Sequence, residues 1–248
     1  MAIQDFNVTD LDGSNGFGLD GFNNSVSDAG DVNGDGFADV IVGNRHGYVL
    51  FGQASGFGAR VDLSGLNGSN GFRLEGTEDG YDNVVSSAGD VNGDGFDDVI
   101  MGDSHADSNG EDSGSSYVVF GKATGFDASV QLSSLDGSDG FRLDGAHAND
   151  VSGKSVGSAG DVNGDGFDDL IIGAIGAESN GSDSGSSYVV FGKATGFDAQ
   201  FDLSGLNGSN GFRIDGAALY DYSGFSVSNA GDVNGDAFDD VIVGSPYA

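Results

Sequence analysis

The most constraining feature of the sequence is a nine-residue segment that occurs four times. Ala29-Gly30-Asp31-Val32-Asn33-Gly34-Asp35-Gly36-Phe37 recurs at residues 88–96, 159–167 and, with Ala237 in place of the last glycine, 230–238. The leading aspartates, Asp31, Asp90, Asp161 and Asp232, lie 59, 71 and 71 residues apart. A recurrence at spacings of this length marks a repeat architecture, in which each unit buries its apolar face against its neighbours. Each copy runs into a short β-branched stretch: Val40-Ile41-Val42, Val99-Ile100-Met101, Leu170-Ile171-Ile172 and Val241-Ile242-Val243. An aromatic stretch follows at residues 48–51, 117–120 and 188–191, and a further one at 71–74, 140–143 and 211–214. With the alternating segment before each motif, such as Phe225-Ser226-Val227-Ser228, every unit holds four short strands separated by turn residues.

Period and strand count together predict an all-β fold, a β-propeller of four-stranded blades. A β-solenoid or a string of small sandwiches is the competing architecture, but solenoid coils are usually shorter. The register divides residues 1–248, read as one propeller domain or propeller segment. Residues 21–75, 76–144 and 145–215 form three complete blades. The opening stretch from Phe6 to Phe17 aligns without gaps on residues 201–212, so residues 1–20 supply the outer strand of a fourth, split blade. Residues 216–248 supply its first two strands, and it has no third. Unpaired strand edges invite association. The chain can close as a ring of four, pair with a second chain, or form part of a longer array. Wedge-shaped blades of this size crowd a ring of four, which favours completion by another chain.

The aspartate segment carries the chemistry. In Asp31-Val32-Asn33-Gly34-Asp35-Gly36-Phe37-Ala38-Asp39, oxygen side chains stand at positions 1, 3, 5 and 9. Alternate residues of a tight loop point inward, so Asp31, Asn33, Asp35 and Asp39 can converge, joined by the carbonyl of Phe37. The other sets are Asp90, Asn92, Asp94, Phe96 and Asp98; Asp161, Asn163, Asp165, Phe167 and Asp169; and Asp232, Asn234, Asp236, Phe238 and Asp240. Hard oxygens with three anions per loop suit Ca²⁺, up to four ions in all; Mg²⁺ demands a tighter octahedron and Zn²⁺ prefers nitrogen or sulfur. Glycine at position 6 permits the sharp turn, and the fourth loop has Ala237 there, which makes its site the weakest. Position 12 is Val42, Met101, Ile172 or Val243 rather than the glutamate of an EF-hand, and the chain has no Gly-Gly pair of the kind calcium β-rolls use. The plain alternative is that these aspartates only form Asx-turns.

Composition excludes several classes. With 40 acidic against 8 basic residues and a formal charge of −32, the chain has no basic face for nucleic acid or anionic lipid. It has no cysteine, hence no disulfides, thiolate metal sites or thiol nucleophile. No apolar run approaches the roughly 20 residues of a membrane span, so no membrane insertion is expected, and the N-terminus lacks signal-peptide character. His46, His105 and His147 have no repeated partner and no nucleophile elbow is present, so no enzyme is expected. Arg73, Arg142 and Arg213 read as structural partners of nearby acids, and Lys122 and Lys193 as turn residues.

These residues resemble the FG-GAP repeat of the integrin alpha-subunit β-propeller and of bacterial FG-GAP surface proteins. The calcium loop matches at each ligand position. The FG half stands, with its letters reversed, in Ser223-Gly224-Phe225-Ser226, and the GAP half in Gly244-Ser245-Pro246 and more loosely Gly173-Ala174-Ile175. The resemblance implies structural ions between the first two strands of each blade, and an extracellular or cell-surface setting where calcium is abundant. Two departures stand out. Integrin propellers are seven-bladed, and the first unit lacks the loop that residues 103–116 and 174–187 form in its neighbours. The expected function is a calcium-binding structural or adhesive module, with self-association or neighbouring repeats as partners. A lectin-like propeller binding a glycan or protein ligand is the alternative.

Overall fold

The computed structural model describes residues 7–21, 24–76 and 83–248. Residues 1–6 of the opening segment, 22–23, and the start of the second unit at 77–82 lie outside the described residues. Among the described residues the chain is built of short strands, and no helix is long and apolar enough to cross a membrane.

Its strands are β1 (Gly18–Asp20), β2 (Ser25–Gly30), β3 (Asp39–Gly43), β4 (Gly47–Leu50), β5 (Arg60–Asp62) and β6 (Gly71–Glu75). The second unit holds β7 (Val84–Gly89), β8 (Asp98–Asp103), β9 (Ser115–Val119), β10 (Ser129–Gln131) and β11 (Gly140–Asp144). Next come β12 (Ser152–Gly160), β13 (Asp169–Ala174), β14 (Ser186–Val190), β15 (Gln200–Asp202) and β16 (Gly211–Asp215), and finally β17 (Ser226–Gly231) and β18 (Asp240–Gly244).

Antiparallel meanders β2-β3-β4-β6, β7-β8-β9-β11 and β12-β13-β14-β16 form three sheets, and β17-β18 begin a fourth. The expected all-β fold with its repeated four-strand units is therefore present, in an arrangement consistent with a propeller. The first strands of successive sheets, β2, β7, β12 and β17, pack one against the next. Middle strands are buried on both faces, which explains their unbroken β-branched runs: Ile41, Ile100 and Ile171 are all inaccessible. β1 and the β17-β18 pair belong to separate sheets, so these strands do not close a ring.

One feature was not expected. Before each outer strand the chain makes a three-residue excursion, β5, β10 or β15, that pairs in parallel with the outer strand of the preceding unit: β1, β6 or β11. A 3-10 turn follows each excursion, at Leu63–Gly65, Leu132–Ser134 and Leu203–Gly205. A phenylalanine entering each excursion meets the outer-strand phenylalanine of the previous unit. Phe126 stacks on Phe72 and Phe197 on Phe141, both at 4.2 Å between ring centroids. Lys122 and Lys193, expected to be plain turn residues, lie 4.9 Å over those same incoming rings. The outer-strand arginines pair with the acid two residues on: Arg73 with Glu75, Arg142 with Asp144 at 2.6 Å, and Arg213 with Asp215 at 2.7 Å.

Candidate metal centre

Each aspartate loop begins at a bulge. The register between β2 and β3 slips between Asp28 and Gly30, and the same slip recurs at Ser87/Gly89, Ser158/Gly160 and Asn229/Gly231. The glycine after it takes a left-handed φ, between +66° and +71° in all four copies. An L side chain is disfavoured there, which accounts for the Ala-Gly before every leading aspartate.

Within the loop, the side chains at positions 1, 3 and 5 turn onto the same backbone. In the first copy the Asp35 N–H donates to Asp31 Oδ1 at 3.0 Å and to Asn33 Oδ1 at 2.8 Å. Gly36 N–H donates to Asp31 Oδ2 at 2.9 Å, and Phe37 N–H to Asp35 Oδ1 at 2.9 Å. The second, third and fourth loops repeat this pattern around Asp90, Asn92 and Asp94; Asp161, Asn163 and Asp165; and Asp232, Asn234 and Asp236. So three of the four oxygen-bearing positions of each loop are gathered by one set of amides.

Position 9 opens the second strand and is held differently. Asp39 accepts from Val32 N–H at 2.9 Å and Gly52 N–H at 2.7 Å. Asp98 and Asp169 make the same two bonds, to Val91 and Gly121 and to Val162 and Gly192. These three carboxylates are almost fully buried. Burial pushes their pKa values up, to about 6 for Asp39, about 8 for Asp98 and about 7 for Asp169. The two amide donors oppose that shift, and the acids at positions 1 and 5 add to it. As the side chains stand, no three acidic or histidine groups among the described residues close on one point. Position 9 faces the amides beneath the loop while positions 1, 3 and 5 face the amides within it. The donor set still fits a hard cation: every donor is oxygen, and the carboxylate buried in the first three loops has no positive partner among the described residues.

The fourth loop differs as its sequence foretold. Ala237 sits at φ +73°, where Gly36, Gly95 and Gly166 sit at +86° to +90°. A left-handed L residue costs about 1 kcal/mol. Ala237→Gly is therefore expected to steady the last loop by about that amount, read as slower hydrogen exchange at the amides of residues 235–238. Unchanged exchange would show that the alanine is unstrained.

A second aspartate, at position 8, went unrecognised in the sequence. Asp97 Oδ2 accepts from Asp31 N–H of the preceding unit at 2.7 Å, and Asp97 N–H donates to the Asp31 carbonyl at 3.3 Å. Asp168 holds Asp90, and Asp239 holds Asp161, by the same reciprocal pair. The signal was available as the Asp-Asp pair in three of four copies; it reads as surplus acid because its partner lies 66 to 78 residues away.

Comparison with known proteins agrees with this geometry. The FG-GAP repeat family matches residues 23–59, 83–119, 153–190 and 223–248, each match spanning one aspartate loop. Integrin alpha pat-2 of Caenorhabditis elegans is 29% identical over 227 residues, covering 87% of this chain and 17% of that protein. Integrin alpha-5 of Xenopus laevis is 27% identical, covering 87% and 19%, and Integrin alpha-PS2 of Drosophila melanogaster 28%, covering 87% and 14%. The chain thus spans under a fifth of the length of these relatives. With four matched repeats accounting for more than half its residues, the chain belongs to the FG-GAP repeat family.

Proposed function

We propose that this chain is a calcium-stabilised structural module of an adhesive, extracellular or cell-surface protein, whose open ends engage further blades, either a second copy or neighbouring repeats. The observation that carries the reading is the fourfold loop with oxygens at positions 1, 3, 5 and 9, backed in three loops by a buried carboxylate that has no cationic side chain beside it among the described residues. Asp31, Asn33, Asp35 and Asp39, with the Phe37 carbonyl, would hold the first ion, and the equivalent residues the other three. A bound divalent ion supplies charge that a buried carboxylate otherwise lacks. The protein's part is to fix four oxygens on a bulged turn between two strands. The integrin alpha relatives support the adhesive setting.

Asp98→Asn separates this reading from plain Asx-turn chemistry. Asparagine keeps one oxygen acceptor for Val91 or Gly121 and removes the charge. Without metal, the raised pKa of Asp98 means that the folded state holds more protons than the unfolded one between about pH 4 and pH 8. Its stability therefore falls as pH rises through that window, and the asparagine variant should be flatter and at least as stable at pH 8. In calcium the order reverses. Losing one of three anionic ligands should weaken that site on the order of tenfold or more. Titration calorimetry should then count one tight ion fewer than in the parent. Equal counts, or no calcium heat in the parent, would sink the assignment.

A further inference from the structure

The first unit differs from its neighbours in one connection. Between β3 and β4 it has residues 44–46, where the next two units run residues 104–114 and 175–185. This short hairpin, Asn44-Arg45-His46, is closed by the Asn44 N–H donating to the His46 carbonyl at 3.1 Å. The buried Asn83 of the next unit anchors it, donating from Nδ2 to the Arg45 carbonyl at 3.3 Å. The hairpin lines a cavity of about 380 Å³. Tyr48 and Arg73, paired across β4 and β6, line it too, with Ser64 after β5 and Ser129 on β10. Segments flanking the unit on both sides, at Gly21 and Ala128, are in place around it.

The lining is chemically divided. Three of the chain's 8 lysines and arginines gather here: Arg45 and Arg73 line the cavity, and Arg60 pairs with the lining Asp20 at 2.5 Å. His46 lies among them, and its enclosed Nδ1 has no hydrogen-bond partner among the described residues. Burial first, then the charges of Arg73 and Arg45, hold its pKa below the usual histidine value, against the opposing Glu75. The Arg73 pair with Glu75 leaves part of a five-donor guanidinium unused. The remaining lining groups have the opposite need. Ser64 donates its hydroxyl proton to Asp62 at 2.7 Å, and Ser129 donates its own to Glu75 at 2.6 Å. With those protons committed, Ser64, Ser129 and Asp62 have only acceptor capacity left. One set of groups calls for an anion and the other for hydroxyl donors.

We infer that this cavity binds one carboxylated sugar residue, a hexuronate, its carboxylate on Arg45, Arg73 and His46 and its hydroxyls on Ser64, Ser129 and Asp62. An arginine fork matches a carboxylate in shape and charge, and sugar hydroxyls supply protons to acceptors that have spent their own. Ligand sites run from about 300 to 1,000 Å³, so a cavity at the small end of that range suits a single ring. The formal charge of −32 repels polyanions at long range, which favours one carboxylate over a phosphorylated or sulfated chain. Tyr48 meets the His46 ring edge-on, at 6.3 Å and 88°, and so steadies it. The cavity shares no lining residue with the aspartate loops, so a failed calcium titration leaves this inference standing.

The test titrates the intact chain with glucuronate and follows the His46 ring signals by NMR. A bound carboxylate offsets the charges of Arg73 and Arg45, so the pKa of His46 should rise at saturation. Arg45→Gln removes one charge-assisted contact and should weaken binding by about tenfold or more. Arg45 is exposed in its hairpin, and melting curves verify that the variant folds. Arg213→Gln, at the matching register position of the third unit, should leave the affinity unchanged. Glucose lacks the carboxylate and glutamate lacks the ring; each should bind about tenfold more weakly or worse. The inference is overturned if glucuronate leaves His46 unmoved, if Arg45→Gln binds as tightly as the parent, or if Arg213→Gln loses as much. It is overturned equally if glucose matches glucuronate, or if glutamate does, which would identify an acidic peptide as the ligand instead.

Discussion

Chelating divalent ions is expected to lower the melting temperature of this chain by tens of degrees. Each loop carries three carboxylates, twelve in the four copies, within a protein whose formal charge is already −32. An ion that binds only the folded state adds about 2.7 kcal/mol at a hundredfold excess over its dissociation constant. Four such sites would contribute on the order of 11 kcal/mol, and in a chain of this size each kcal/mol moves the melt by about 2–4 °C. The measurement is a thermal melt in millimolar calcium against the same buffer with EDTA. Magnesium should restore little of the difference, because the loop offers a flexible oxygen set rather than a tight octahedron. Identical melts in the two buffers would mean that hydrogen bonds from the loop amides suffice to hold the aspartates.

The second large effect is expected at the outer-strand phenylalanines. Phe141 is inaccessible, stacks on Phe197 at an interplanar angle of 3° and meets Phe120 at 5.8 Å. Phe141→Ala removes a fully buried ring and empties the space between two others, which destabilises by about 3–5 kcal/mol. Phe72, with Phe126 and Phe51 as its neighbours, should behave alike. Phe212 is the internal control. It occupies the same place in the last complete sheet but, among the described residues, meets a single aromatic ring, Phe191 at 6.0 Å, and is 37% exposed. Phe212→Ala should therefore shift denaturant midpoints by less than half as much. Equal losses at Phe141 and Phe212 would show that the incoming Phe197 contributes nothing.

Much of this was legible in the residues. The spacing of Asp31, Asp90, Asp161 and Asp232 gave the unit, and the runs after them gave the second strands, because a repeat reports its own register. The strain at Ala237 was readable too, since three sister loops place glycine there. What escaped detection was whatever joins one unit to another. Arg60-Val61-Asp62 and Ser129-Val130-Gln131 are too short and polar to announce strands; they are strands because an outer edge awaits them. Asp97 looks like surplus charge until Asp31 of the previous unit is beside it. Asp98, the next residue along, is held by the amides of Val91 and Gly121, which converge only after folding. Local pattern reveals the unit, whereas long-range pairing determines how units meet.

The parallel excursions β5, β10 and β15 also set a timetable. The first sheet has its own strands once β6 ends at Glu75, yet its outer edge is covered only when β10 arrives at residues 129–131. At 5–20 residues per second of synthesis, that edge stays bare for roughly 3–11 s. The second sheet then waits in turn for β15. Folding during synthesis thus trails the emerging chain by most of one unit. Throughout each wait the bare strand carries an arginine and an acid, Arg73 with Glu75 or Arg142 with Asp144. Charged side chains on an open edge discourage pairing with strangers. These pairs, exposed before they are structural, guard each sheet until the nascent chain supplies its neighbour.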